Sequence, residues 1–69
     1  MRRYAIIIEK SDSGYGAFVP DLAGCVAVGK SIQETERLIK EAIEFHLEGM
    51  KEDGVEIHLP TSVAEYVEV

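Results

Sequence analysis

Residues 31 to 54 read SIQETERLIKEAIEFHLEGMKEDG, and this stretch decides the predicted fold. Ser31 and Glu34 have the spacing of a capping box, in which each side chain bonds the backbone N–H of the other, so a helix is predicted to begin here. Gly54 supplies a left-handed stop after Asp53. At 100° per residue the charged side chains take one face, and the opposite face is a wide apolar stripe. The central line of that stripe consists of Ile32, Ile39, Ile43, His46 and Met50.

Three short strands are predicted before the helix. Residues 4–9 contain three consecutive isoleucines, whose branched side chains suit a pleated surface. A short polar turn over residues 10–14 connects them to an antiparallel strand over residues 15–19, which Pro20 ends because it has no N–H to donate. Residues 25–28, which are small or branched, form the third strand.

A last strand is predicted over residues 64–69, where apolar and polar residues alternate. Because it follows a long helix, a right-handed crossover would place it parallel to an earlier strand. The predicted fold is therefore α+β, with the order β-β-β-α-β and one helix packed on a small mixed sheet, in a single domain over residues 1–69. One helix covers only one face of a sheet, so a second subunit is expected on the other.

The composition narrows the class of function. The chain has 69 residues, a net charge of −6 and a pI of about 4.7. Only seven residues are basic, so direct DNA or RNA binding by this chain alone is disfavoured, whereas a basic protein partner is permitted. No apolar run approaches the ~18 residues of a membrane span, and no signal-peptide pattern opens the chain. The single cysteine indicates a reducing compartment, and a cytoplasmic protein is expected.

The residues with reactive side chains do not form a recognisable catalytic, cofactor or metal site. His46 lies on the apolar stripe and His58 stands beside Pro60, without the spacing of metal ligands. Cys25 has no basic neighbour to activate it and is interpreted as a small buried residue. Asp21, in the loop before the third strand, is expected to bond the loop backbone in an Asx-type turn.

Two regions are candidates for contact with a partner. The first is the loop that holds Asp21 and Leu22. The second is the edge of the helix stripe, where Leu38 and Phe45 stand seven residues apart and therefore share a face. Either a partner or the chain's own C-terminal segment could cover that edge, and the sequence leaves both open.

The chain resembles the HicB family of antitoxins over about residues 1–52. The run from Tyr15 to Ser31, YGAFVPDLAGCVAVGKS, resembles that family's strand, Pro-Asp-Leu-Pro-Gly-Cys loop and small-residue strand. The loop matches at Pro20, Asp21, Leu22, Gly24 and Cys25. The helix matches at Ser31, Glu34, Glu41, Ala42, Ile43, His46, Leu47 and Glu48. Ala23 departs from the family's usual proline, which restores an N–H and backbone freedom to the loop.

This resemblance implies a partial ribonuclease-H-like fold and a non-catalytic role. HicB proteins bind the small basic toxin HicA, an RNA-cleaving protein, and block its catalytic histidine. They commonly assemble as dimers or tetramers, and many carry a C-terminal DNA-binding domain, for which no room is expected before Val69.

The first hypothesis is accordingly an antitoxin that masks a HicA-like toxin, with Asp21, Leu22, Leu38 and Phe45 at the contact, assembled as a homodimer or homotetramer. The second is an orphan oligomeric structural or ligand-binding module without a toxin. A third, a metal-dependent nuclease that uses Asp21, is disfavoured because the ligand spacing is absent.

Overall fold

A computed structural model describes residues 2–69. Its elements are β1 (Ile7–Ser11), β2 (Gly14–Phe18), β3 (Val26–Gly29) and α1 (Ile32–Glu52). The strands form one antiparallel sheet in the order β1-β2-β3, and α1 packs on one face of it. The predicted α+β class, with a single helix on a small sheet, is confirmed.

The two hairpin strands follow the predicted alternation. Phe18 lies opposite Ile7 of β1 and Val26 of β3. Ala17 and Val19 point toward the helix and are buried, whereas Phe18 is exposed on the other face. The predicted strand boundaries are shifted by one to three residues, because the pairing continues to Ser11 opposite Gly14 and leaves only a two-residue turn.

The helix begins and ends where the sequence predicts. The Ser31 Oγ accepts from the N–H of Glu34 at 3.0 Å, and Glu34 in turn accepts from the N–H of Lys30, one residue before the expected partner. At the other end Gly54 adopts a φ of 72°, in the left-handed region. The N–H groups of Gly54 and Val55 then reach the carbonyls of Lys51 and Met50, so the last turn is satisfied.

The core lies between α1 and the inner face of β2 and β3. Ile39 is its centre, with 1% of its surface exposed, and four further buried residues surround it: Ala17, Val19, Leu22 and Cys25. Thr35 is fully buried, and its hydroxyl donates to the carbonyl of Ser31 at 2.7 Å. It presses on Gly29, where any Cβ would lie 2.5 Å from the Thr35 Oγ1, so the helix start sits directly on β3.

The predicted fifth element is wrong for this structure. Residues 55–69 contain no strand among the described residues, so the sheet is wholly antiparallel and not mixed. The physical reason is a set of hydrogen bonds that holds Thr61 and Ser62 against Asp21, in the loop after β2. Residues 61–69 are all exposed. The radius of gyration is 13.1 Å, against about 11 Å for a compact chain of this length.

Candidate partner-binding surface

The loop over residues 20–25 is built as a rigid support. Leu22 donates its N–H to the carbonyl of Val19 at 3.1 Å, and Cys25 donates to the carbonyl of Leu22 at 3.2 Å. Gly24 has a φ of 78°, a conformation that disfavours a side chain. The side chains of Val19, Leu22 and Cys25 are all buried and anchor the loop from inside. Leu22, a predicted contact residue, is only 7% exposed and therefore shapes the loop from below its surface.

Asp21 projects from this loop and fastens the C-terminal segment to it. Its carboxylate accepts the backbone N–H groups of Thr61 at 3.3 Å and Ser62 at 3.2 Å, and both hydroxyls also donate to it. The expected Asx-type turn is therefore wrong, because the acceptor is used by residues 40 positions away. We call this arrangement the Asp21 clasp. Its signal in the sequence was weak: two hydroxyl residues after a proline.

The clasp is electrostatically favourable for the charged carboxylate. Partial removal from water opposes ionisation, but the N–H groups of Ser62 and Thr61, followed by their hydroxyls, outweigh that effect and hold the pKa of Asp21 below its usual value. Asp21 is thus a charged structural acceptor. Burial raises the pKa of the Cys25 thiol, so that thiol stays neutral and inert.

Phe45 is the most conspicuous apolar side chain on α1, with 80% of its surface exposed. It borders a shallow cleft of about 410 Å³ between α1 and the start of β3, lined also by Gly24, His46 and Asp53. Leu38 lies two turns earlier on the same flank of the helix and is half-buried. The C-terminal segment does not cover Phe45, which settles one of the alternatives left open by the sequence.

The predicted contact residues are therefore distributed over one side of the molecule without converging on a single point. Asp21 is occupied by the clasp, Leu22 is internal, and Leu38 is half-buried. Phe45, beside the loop residue Gly24, is the member that a partner reaches most readily.

Two further surfaces are apolar. The outer face of the sheet exposes Phe18, Val26 and Val28, the last two at 62% and 73%, as expected for a sheet covered on one face only. The second surface is a groove between α1 and the segment before β1, which sequence reasoning missed because it depends on where the helix crosses the sheet.

The described residues, 2–69, contain no cluster of three or more histidine, cysteine, aspartate or glutamate side chains that could hold a metal ion. His46 is half-buried beside the cleft, and His58 is exposed. Within the same residues, no helix combines the length and the apolar character needed to cross a membrane.

Comparison with known proteins identifies related chains. A family model described as the HicB_like antitoxin of bacterial toxin-antitoxin systems matches residues 4–69. A 14.9 kDa protein in the rep-hol intergenic region of Haemophilus phage HP1 is 42% identical over 64 residues, which cover 93% of this chain and 48% of that protein. A UPF0150 protein of Helicobacter pylori is 55% identical over 47 residues, or 68% of this chain and 65% of that protein.

One relative is matched over nearly its whole length. A UPF0150 protein of Thermoplasma acidophilum is 38% identical over 68 residues, which cover 97% of this chain and 96% of that protein. Among solved structures, a HicA3 and HicB3 toxin-antitoxin complex contains a chain that superposes with a TM-score of 0.70 at 27% identity, covering 90% of this chain and 70% of that one. The chain thus spans about half of the phage relative and nearly all of the archaeal one.

Proposed function

This chain belongs to the HicB-like antitoxin family of bacterial toxin-antitoxin systems, and from that premise we propose that it binds and masks a small basic HicA-type toxin that cleaves mRNA. The observation that carries the proposal is the similarity to a chain of a HicA3–HicB3 complex over 90% of the sequence. The proposed role is non-catalytic, and it is exercised in the cytoplasm, where mRNA is the substrate of such a toxin.

Charge supports a basic partner. The chain carries 13 acidic and seven basic residues. Several of the acids lie along the exposed face of α1, on the same flank as Phe45 by helical spacing: Glu41, Glu48 and Glu52. A field of this sign speeds the encounter with a positively charged protein and repels nucleic acid, so we do not assign DNA binding to this chain alone.

The proposed contact is the flank of α1 at Leu38 and Phe45, together with the Asp21 loop beside it. Aromatic side chains are frequent anchors of protein interfaces, because they bury a large area at a low cost in conformational entropy. An aromatic ring that is 80% exposed next to a cleft and among carboxylates combines an apolar anchor with charge steering. Leu22 supports this surface from the core.

The direct test is inhibition of RNA cleavage. A small basic HicA-type toxin from the same organism is purified, and its cleavage of an RNA substrate is measured as the present chain is added. We expect stoichiometric inhibition by the unmodified chain. Phe45→Ala is expected to weaken inhibition at least tenfold, which corresponds to about 1.4 kcal/mol of binding free energy.

The matched control is Val28→Thr, which alters an exposed apolar residue on the outer sheet face while keeping a strand-forming side chain. It should inhibit as the unmodified chain does. Loss of inhibition by Val28→Thr alone would place the toxin on the sheet face, and no inhibition by the unmodified chain would contradict the proposed function.

A second candidate is an oligomeric structural or ligand-binding module that has no cognate toxin. It is favoured by the outer sheet face, where Val26 and Val28 are well exposed and no helix covers them. In that case the chain would assemble through this face and Phe45, and it would leave RNA cleavage by a HicA-type toxin unchanged. Light scattering together with the inhibition assay separates the two candidates.

A further inference from the structure

The helix lies off the centre of the sheet, and this leaves a groove on one side. α1 packs chiefly on β3 and β2 and touches β1 least. The resulting groove holds about 780 Å³ and is walled by Tyr4 and Ile6 on one side and by Ile39, Ile43 and Leu47 on the other. β1 is an edge strand, with β2 as its single neighbour among the described residues, so its outer edge can accept another strand.

The C-terminal segment has the character of a strand that lacks its sheet. Residues 63–69 read VAEYVEV, rich in the branched and aromatic residues that favour strands. By alternation Val63, Val67 and Val69 share one face with Glu65. The three valines are 79%, 81% and 123% exposed, and Tyr66 is 102% exposed. Apolar side chains that are exposed to this extent and lie close together are a feature of interaction sites.

The total solvent-accessible surface shows how much more area this chain exposes than a compact monomer of the same mass. The chain exposes 5786 Å². A compact monomer of the same mass exposes about 4,300 Å², so the excess is roughly 1,500 Å². A stable dimer buries about 800 Å² on each partner, so this excess is ample for one.

The Asp21 clasp makes it difficult for the segment to reach the groove of its own chain. The clasp lies in the loop between β2 and β3, whereas the groove borders the segment before β1, at the edge of the sheet away from β3. Crossing two to three strand spacings of about 4.8 Å uses three or four residues at about 3.4 Å each. Tyr66 would then lie in the stretch of chain that crosses the sheet, and it would not pair with β1. A segment from another copy has no such restriction.

The lining of the groove is less acidic than the rest of the surface. It contains Arg2, Arg37 and Lys40 against Glu36 and Glu44. Arg37 is paired with Glu41 at 3.1 Å, so the remaining charges of the lining balance on a molecule whose net charge is −6. Residues 63–69 carry two glutamates and no basic residue, so this groove repels them less than the rest of the surface of an identical chain does.

We propose that residues 63–69 of one copy pair with the free edge formed by β1 and the segment before it in a second copy, and place their valines in the groove beside that segment. The exchange is reciprocal, since a two-fold axis presents the same segment and the same groove on both copies. The exchanged segment adds a fourth strand to the three-stranded sheet, next to β1. The proposal does not depend on a toxin partner, and its measurements are independent of RNA cleavage.

The first test is the oligomeric state of the full chain by analytical ultracentrifugation. We expect a dimer, and a dissociation constant that rises at least tenfold in Val67→Asp, because a charge would enter an apolar groove. Val67 is 81% exposed in the monomer, so this change leaves the fold intact. Val55→Asp, at a residue that is 52% exposed outside the segment, is the matched control and should dimerise normally. A monomer at the highest attainable concentration, or a dimer indifferent to Val67→Asp, would overturn the exchange.

The second test locates the segment. A nitroxide is attached at Glu68→Cys, and the natural thiol of Cys25 does not compete because it is buried. This nitroxide-bearing copy is mixed with an isotope-labelled copy that carries no nitroxide. The nitroxide should then broaden the amide signals of Tyr4, Ile6 and Leu47 in the labelled copy. Broadening at Val28 instead would assign the dimer to the outer sheet face, and broadening within the same chain alone would assign the segment to its own groove. Either result refutes the proposal.

Discussion

Replacing Ile39 with alanine separates the residues that hold the fold from those that face a partner. Ile39 is 1% exposed at the centre of the core. Ile39→Ala removes three buried carbon groups at about 0.8 kcal/mol each, and the cavity left behind adds to that, for a total of about 3–4 kcal/mol. A domain of this size has only about 3–5 kcal/mol of stability, so the variant should be largely unfolded or close to it.

The comparison variant is Phe45→Ala, six residues along the same helix. Phe45 is larger than Ile39, yet it is 80% exposed and buries little. Its loss should change stability by less than about 0.5 kcal/mol, and the higher helix propensity of alanine offsets part of even that. If side-chain size decided the loss of stability, Phe45→Ala would be the more damaging change. Burial decides it, so Ile39→Ala is expected to be the more damaging one.

The assay is urea denaturation followed by helical circular dichroism at one fixed protein concentration, because dimerisation would otherwise shift the midpoint. We expect Ile39→Ala to lose most of the transition and Phe45→Ala to retain the midpoint of the unmodified chain. Equal destabilisation by the two changes would refute the reasoning, because it would mean that Phe45 is covered in solution and is not free to anchor a partner.

Three further outcomes follow from the structure. Gly29→Ala should cost about 2–3 kcal/mol, because its Cβ would lie 2.5 Å from the Thr35 Oγ1, whereas Gly16→Ala, which meets nothing within 4 Å, should be nearly neutral in the same denaturation assay. Cys25 should be unreactive toward a thiol reagent in the native protein and react at once in urea, because burial raises its pKa. The lowered pKa of Asp21 means that its clasp contributes fully above the unfolded value of 3.8 and is lost as pH falls through the folded value, so the stability difference from Asp21→Asn should shrink on acidification.

The helix was predictable because its signals are local. A capping residue, a left-handed glycine and a 3.6-residue apolar period all lie within residues 31–54, and each was found where predicted. The hairpin was predictable for a similar reason, since the short polar connection over residues 10–14 leaves the first two strands no arrangement but antiparallel. The structure shortens the turn itself to two residues. The family was predictable from the loop and helix motifs over residues 1–52, and the partner class is what that resemblance implies.

The parts that sequence reasoning missed depend on contacts between distant residues. The Asp21 clasp joins positions 40 residues apart, and nothing local distinguishes its partners from other hydroxyl residues. The groove depends on which strands α1 crosses. The apolar periodicity of the helix shows which of its faces is buried but not which strands that face packs against. The alternation over residues 64–69 is interrupted at Tyr66 and Val67, which are both apolar, and alternation does not specify the sheet in which a strand pairs.

The two proposed contacts lie on opposite flanks of α1, and this fixes the composition expected of a complete complex. Phe45 faces the β3 side, whereas Ile43 and Leu47 face the groove beside the segment before β1. Tail exchange in the groove therefore leaves each Phe45 flank free, and two toxins should bind one antitoxin dimer. Light scattering of the purified complex measures this stoichiometry directly. One toxin per dimer would show that the contacts overlap, and a complex of one antitoxin with one toxin would show that the toxin displaces the exchanged segment.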